Sequence, residues 1–372
     1  MNKRDATFDI AKAFMMLWVI WGHLGLYKVV APDVSIYMLN AKIGVNMPVF
    51  FVVGGYLAAS TFLKADWAKL ISRTVHFMWP QVAVAVLYAL LLAIAGGHGR
   101  GAFSWVMCAW FLHTYAVIYL VSAIIFRMTD DDRKRWALFF LCYLAMLFWP
   151  SRFRLSWCGQ VIHMFPYFVF GLMCLRKKAL HLDWRIACAC GALYLATVFL
   201  QGDSNLNGMN FWKVNAHWKI VLLNWHEGMT FIARTAVGIC GSVFVLFTVN
   251  LLIKVVPRIA ILSSFGMTTL GVYVLHEYPL RLLGRHMPIS PLPVWSRWLV
   301  AIGLFVVCHC LVVLLKRRAF VRFAFFGNET WLADIFRRVY GYARGHAPCG
   351  YPYSILLGCK KTPIDNIERD VV

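Results

Sequence analysis

Asp9, Lys12 and His23 stand in one apolar stretch, and their spacing sets all three on one face of a helix. Lys12 and His23 lie almost three whole turns apart, so roughly 16 Å of helix axis separates them. An imidazole held there can carry a proton or act as a nucleophile near neutral pH. The ammonium of Lys12 sits one turn from the carboxylate of Asp9, which can neutralise it. A structural role fits the same residues: a lysine reaching for the inner headgroups, and a histidine bonded to a neighbouring helix.

A second group reads S-R-T-V-H-F-M-W-P, with Arg73, His76 and Pro80. Arg73 and His76 are three apart, so the sequence turns both toward one side at the start of an apolar run. That pair suits the phosphates of a nucleotide-like ligand arriving from the cytosol, and equally the headgroups of the inner leaflet. Glu227 and Arg234 form a third group, two turns apart on one helix, where an ion pair between helices is the simpler account. His113, His163, His276 and Glu277 are further polar groups inside apolar runs, each suited to a helix–helix hydrogen bond. Polar groups at both ends of the bundle and between them describe a lined path.

The elements that must carry these groups follow from composition. Hydrophobic residues make up 61% of the 372 and charged residues 14%, too few charges to cover a water-soluble surface. The apolar residues fall in blocks of spanning length, since a bilayer core needs about 20 helical residues. The expected fold is an all-α polytopic membrane bundle of about ten transmembrane helices. The expected spans cover 8–27, 44–63, 77–96, 104–126, 136–150, 160–175, 186–201, 228–253, 261–283 and 297–316. No A-x-A-like cleavage site follows Phe8–Tyr27, so the first block reads as a retained span rather than a removed signal peptide. Barrel strands are excluded by block length, because they alternate over about ten residues.

Lys and Arg set the orientation. Arg127, Arg133, Lys134 and Arg135, then Arg176, Lys177 and Lys178, then Lys316, Arg317 and Arg318 fall on one side. The opposite side is sparser in both types, so the positive-inside bias puts both chain ends in the cytoplasm. The net charge of +21 fits anionic headgroups on the inner face or an anionic ligand such as a phosphorylated carrier. Nucleic acid is disfavoured, because the basic residues are scattered among short loops. The 11 cysteines contain no C-x-x-C pair, so they read as small buried hydrophobes and no metal set is expected.

One membrane domain, residues 1–318, is followed by a cytoplasmic tail, 319–372. Within the tail, Phe320–Phe326 is placed along the inner interface and Gly345–Val372 reads as loosely ordered. The polar stretch Gly202–Lys219 is an outer loop, and Thr129–Arg135 a solvated inner hairpin.

At this point the chain resembles the membrane-bound acyltransferase 3 family, and within it the sugar O-acetyltransferases that include fucose acetylase-like proteins. R-D-A-T-F-D-I-A-K-A-F-M-M-L-W-V-I-W-G-H is similar to the family's opening, with Asp9, Lys12 and His23 at its polar positions. N-M-P-V-F-F-V-V-G-G-Y-L (46–57) is similar to H-M-P-x-F-F-x-x-S-G-y, with Asn46 for His and Gly54 for Ser. Arg73 matches the first Arg of the R-x-x-R element, and His76 stands at the second. The elements A-W-F-L-H-T-Y-A-V-I-Y-L (109–120), M-F-P-Y-F-V-F-G (164–171) and T-L-G-V-Y-V-L-H-E (269–277) follow in the family's order.

The resemblance implies transfer of an acyl group, usually acetyl, from cytoplasmic acyl-CoA to a hydroxyl of a sugar or glycan at the outer face. It makes His23 the catalytic imidazole and assigns Lys12, Arg73 and His76 to the acyl-CoA phosphates. Asp9, Asn46, His113, Glu227, Arg234, His276 and Glu277 then line a supporting polar path. Acyl-CoA is a substrate rather than a bound cofactor, the partners are the acceptor glycan and the bilayer, and the location is a bacterial-type plasma membrane. Two other functions compete: a transporter of an anionic or acylated solute, and a degenerate fold that only binds CoA.

Overall fold

Ten helices follow one another as the apolar blocks require. They are α1 (Ala6–Leu26), α2 (Ile36–Lys64), α3 (Trp67–Ile94), α4 (Trp110–Met128), α5 (Asp132–Phe148), α6 (Ser156–Phe170), α7 (Trp184–Leu200), α8 (Trp225–Val255), α9 (Ser263–Leu275) and α10 (Val294–Arg317). Two tail helices, α11 (Ala319–Phe326) and α12 (Glu329–Ala343), come after them. The computed structural model describes residues 6–26, 36–94, 110–148, 156–175, 183–200, 225–280, 294–327 and 329–343. Gly202–Lys219 and Gly345–Val372 lie outside the described residues.

Among the described residues each expected span overlaps one helix, and no strand occurs. The protein is an all-α polytopic membrane bundle. Six segments, in α2, α3, α4, α8, α10 and the Pro257–Leu275 stretch, are long and apolar enough to cross a bilayer by length and composition. Large apolar side chains point outward along them, among them Ile232, Leu299, Val307 and Leu314. In water such a surface would be a liability, and in lipid it is the solvent-facing side.

Four places differ from the sequence reading. Helix α2 starts at Ile36, eight residues before the expected span at 44. Helix α3 starts at Trp67, a full ten residues before the expected span at 77, because a helix carries Lys69 and Arg73 comfortably once it projects past the hydrocarbon. Helix α6 runs through Pro166 and opens into a π turn at Gly171–Leu175. The ninth span begins as a 3-10 turn, Pro257–Leu262, before α9 proper.

Helix α1 lies at the centre, against α2, α8, α9 and α10. Two clusters of buried side chains meet on it, one shared with α2, α4, α6 and α8, the other with α3, α9 and α10. The α2–α6 crossing is backbone against backbone. A Cβ on Gly55 would sit 2.0 Å from the Phe168 carbonyl oxygen, and one on Gly171 1.9 Å from that of Val52. Small residues at such crossings let dispersion and backbone contacts hold helices that lipid does not push together. Inner arginines tie the helix ends: Arg135 lies 3.9 Å from the Phe126 ring centre, donates to the Phe126 carbonyl at 3.1 Å and pairs with Asp132 at 2.9 Å.

The tail helices pack on α3. Trp79 donates its indole N–H to the Ala324 carbonyl at 3.1 Å, and Arg337 reaches Asp66 at 2.8 Å. Gly327, with φ 69°, turns the chain against the Trp79 ring, a conformation that glycine alone adopts cheaply. Burial is the largest single influence on the Asp66 carboxyl and would raise it, but the Arg337 hydrogen bond, the Lys69 backbone N–H and the charges of both residues together outweigh it and hold the group below its ordinary range. Both partners are about half exposed, so the pair sets position more than stability.

Candidate active site

Helices α1, α2, α3, α4 and α9 enclose a cavity of ≈ 310 Å³. Lys12 and Arg73 line it together with Met16, Phe50, Gly54, Phe77, Phe111, Tyr115, Tyr119 and Tyr273. Lys12 is paired with Asp9 at 2.8 Å, and Asp9 is buried. Arg73 donates to the hydroxyl of Thr61 on α2. Two cations near the inner end of a cavity lined mostly by apolar and aromatic side chains make a site for a ligand with an anionic head and an apolar arm.

The aromatic lining is the part that sequence reasoning missed. Phe111, Tyr115 and Tyr119 recur every four residues on α4, a stripe that the sequence displays openly. Gly54 makes room for this stripe, since a Cβ there would lie 2.5 Å from the Tyr115 ring.

Beyond Tyr273 lies His276, with ring centres 5.7 Å apart. His276 is fully buried, and its Nε2 is 2.8 Å from Nδ1 of His23. Its own Nδ1 is 2.7 Å from the Tyr273 carbonyl oxygen. A ligand atom of Glu277 lies within 4.8 Å of both imidazoles. Three such groups invite a metal, yet the two nitrogens are bonded to each other at 2.8 Å, closer than the about 3.4 Å that two ligands of one tetrahedral zinc would keep.

The other expected residues are distributed. His76 is absent from the cavity wall and faces the tail turn instead, with Nδ1 3.5 Å from where a Cβ on Gly327 would stand. His113 is half-buried on α4, off the face that carries Phe111, Leu112 and Tyr115. Asn46 is buried, and its Oδ1 has no hydrogen-bond partner among the described residues. Arg234 is buried within electrostatic reach of His163, and Tyr167 donates to the Arg234 carbonyl at 3.3 Å. The side chain of Glu227, the expected partner of Arg234, lies outside the described residues.

A histidine pair thus lies beside a cavity that has two cations in its wall, and the comparison with known families decides its class. Residues 5–317 match the profile of the acyltransferase domain family. The chain belongs to the acyltransferase 3 family. The nodulation protein NolL of Sinorhizobium fredii (strain NBRC 101917 / NGR234) is 24% identical to it over 215 residues, which are 51% of this chain and 57% of the relative. The chain therefore spans less than two thirds of that relative's length. No solved structure matches. Along the chain, the family match covers α1 to α10, and so every residue that lines the cavity and both members of the histidine pair.

Proposed function

We propose that this acyltransferase moves an acyl group, acetyl in the simplest case, from cytoplasmic acyl-CoA to a hydroxyl of a sugar or glycan at the outer face of a bacterial-type plasma membrane. The observation that carries the proposal is the cavity running from Lys12 and Arg73 to Tyr273, with the His23–His276 pair just past it. CoA has an anionic nucleotide and a long, thin pantetheine arm. The cavity is too small for the whole molecule and matches the arm, leaving the phosphates beside Arg73 and Lys12. Arg73 is the stronger anchor, because a guanidinium can hold a phosphate through two N–H groups, whereas Lys12 is already shared with Asp9.

In the reaction, the acceptor hydroxyl attacks the thioester carbonyl while His23 takes its proton. The tetrahedral intermediate collapses by breaking the C–S bond, and the departing thiolate recovers that proton from His23. No net proton is consumed, and no oxidant or metal enters the balance. Residues that line the tunnel exclude water, which would otherwise hydrolyse the thioester.

The test is turnover of labelled acetyl-CoA by purified protein in detergent, with and without candidate glycan acceptors. Acceptor-dependent release of CoA, and a gain of about 42 mass units per modified hydroxyl, is the expected result. Solute uptake into proteoliposomes without acyl-CoA would support the transporter reading instead. Arg73→Ala is expected to raise the KM for acyl-CoA at least about tenfold with kcat within about threefold, the mark of a lost ground-state contact. An unchanged KM would take Arg73 out of the donor site.

A further inference from the structure

Resting on that reading, we propose that His276 is the positioning residue of the reaction: it fixes the His23 ring so that Nε2 of His23, and not Nδ1, is the nitrogen that takes the hydroxyl proton.

The geometry of the pair is more exact than a contact distance alone conveys. The two ring nitrogens are 2.8 Å apart, the ring centres 5.0 Å apart and the ring planes 12° from parallel. A ring nitrogen lies about 1.1 Å from its own ring centre, so a perfectly in-line N···N bond of this length needs centres about 5.0 Å apart. The observed separation is that limit. The rings are therefore edge to edge in nearly one plane, with the lone pair of one nitrogen aimed along the N–H of the other, and not stacked face to face.

The direction of the bond follows from the next atom along. His276 Nδ1 is 2.7 Å from the Tyr273 carbonyl oxygen and 3.2 Å from that of Val272. Carbonyl oxygens only accept, so Nδ1 of His276 carries its hydrogen. In the neutral ring Nε2 then holds the lone pair and accepts from Nδ1–H of His23. The lone pair of His23 is left on Nε2, at the far side of its ring from His276. When that atom takes a proton, the cation is shared along the in-line bond and lies near the Glu277 carboxylate. The chain of acceptors begins on backbone, which no titration alters, so the tautomer is set by the fold itself. Orienting partners of this kind hold a catalytic imidazole in one of its two tautomers.

Two polar substitutions separate this role from simple packing. His276→Asn places its amide where Nδ1 stands and keeps a donor for the Tyr273 carbonyl, but has nothing at the Nε2 position. His276→Gln reaches that position with an amide oxygen that can accept from His23. The readout is kcat and donor KM in the labelled acetyl-CoA assay, with thermal unfolding of each purified variant alongside. The expected result is an Asn variant about a hundredfold lower in kcat with KM within about threefold, and a Gln variant at least about tenfold faster than the Asn variant. Equal rates for the two variants, near wild type or far below it, would overturn the assignment. If His23→Ala keeps its turnover, the reading of the site fails as a whole. If His23→Ala is inactive while both His276 variants match wild type, only the role of His276 is lost.

Discussion

His23→Ala is expected to lower kcat by about a thousandfold while the protein still folds and still takes up acyl-CoA. The size follows from what the imidazole supplies. General base catalysis by a positioned side chain is worth about a hundredfold to ten-thousandfold, and in the proposed reaction the same ring also returns the proton to the thiolate. Its loss affects both halves of the reaction. The proposed donor contacts, Lys12 and Arg73, stand in the cavity wall and His23 does not, so donor KM should stay within about threefold. Steady-state release of CoA, paired with binding of a non-transferable CoA thioether, separates the two quantities. A variant that turns over at the wild-type rate would remove His23 from the chemistry, whatever its neighbours do.

The second large effect is on the fold, and it arises where α9 crosses α1. A Cβ on Gly266 would stand 1.8 Å from the Asp9 carbonyl oxygen, inside the backbone of the opposing helix. No rotamer relieves that, so Gly266→Val must drive the two helices apart. The crossing sits at the root of both elements that position the imidazoles, with His23 farther along α1 and His276 just past the end of α9. We expect a loss of about 3 kcal/mol, the upper part of the range for overpacked cores, read as a lower Tm in detergent. Turnover should fall with it, because an in-line bond of 2.8 Å tolerates little displacement. Gly303→Ala on α10 is the control, for a Cβ there meets nothing within 4 Å. A helix gains from that exchange, by about 0.5–1 kcal/mol. Equal melting of the two variants would mean that α1 and α9 are not packed this closely.

Most of the bundle could be read from the order of apolar blocks. Each helix that the block pattern implies is present, since nothing but an internally bonded helix satisfies a backbone in lipid. The places where reading went astray have physical causes. The run containing Lys69, Arg73 and His76 looked like the approach to a span, yet it is the first two turns and more of α3, because cations end a membrane crossing without ending a helix. Arg73 and His76 were assigned one direction from their spacing of three. On a helix packed on both sides, the remaining angle of about 60° sends one into the cavity and the other to the tail.

The site was half visible. Asp9, Lys12 and His23 share a helix, so their relation is a matter of pitch. The bond between His23 and His276 joins residues 253 positions apart, and only the folded bundle brings them together. The aromatic stripe on α4 and the apolar spacing of Leu332, Ile335, Phe336 and Val339 on α12 were there to be seen by period alone.

The family's match stops at residue 317, and the two short helices after it close over the outside of α3. A protein trimmed to the matched segment would lay bare the Trp79 indole and leave Asp66 without Arg337, on the very helix that presents Arg73. Such a molecule should extract from membranes less stably and hold its donor less tightly, although no residue of the cavity wall has been removed. What sequence comparison delimits as the domain is, in this chain, smaller than the piece that folds.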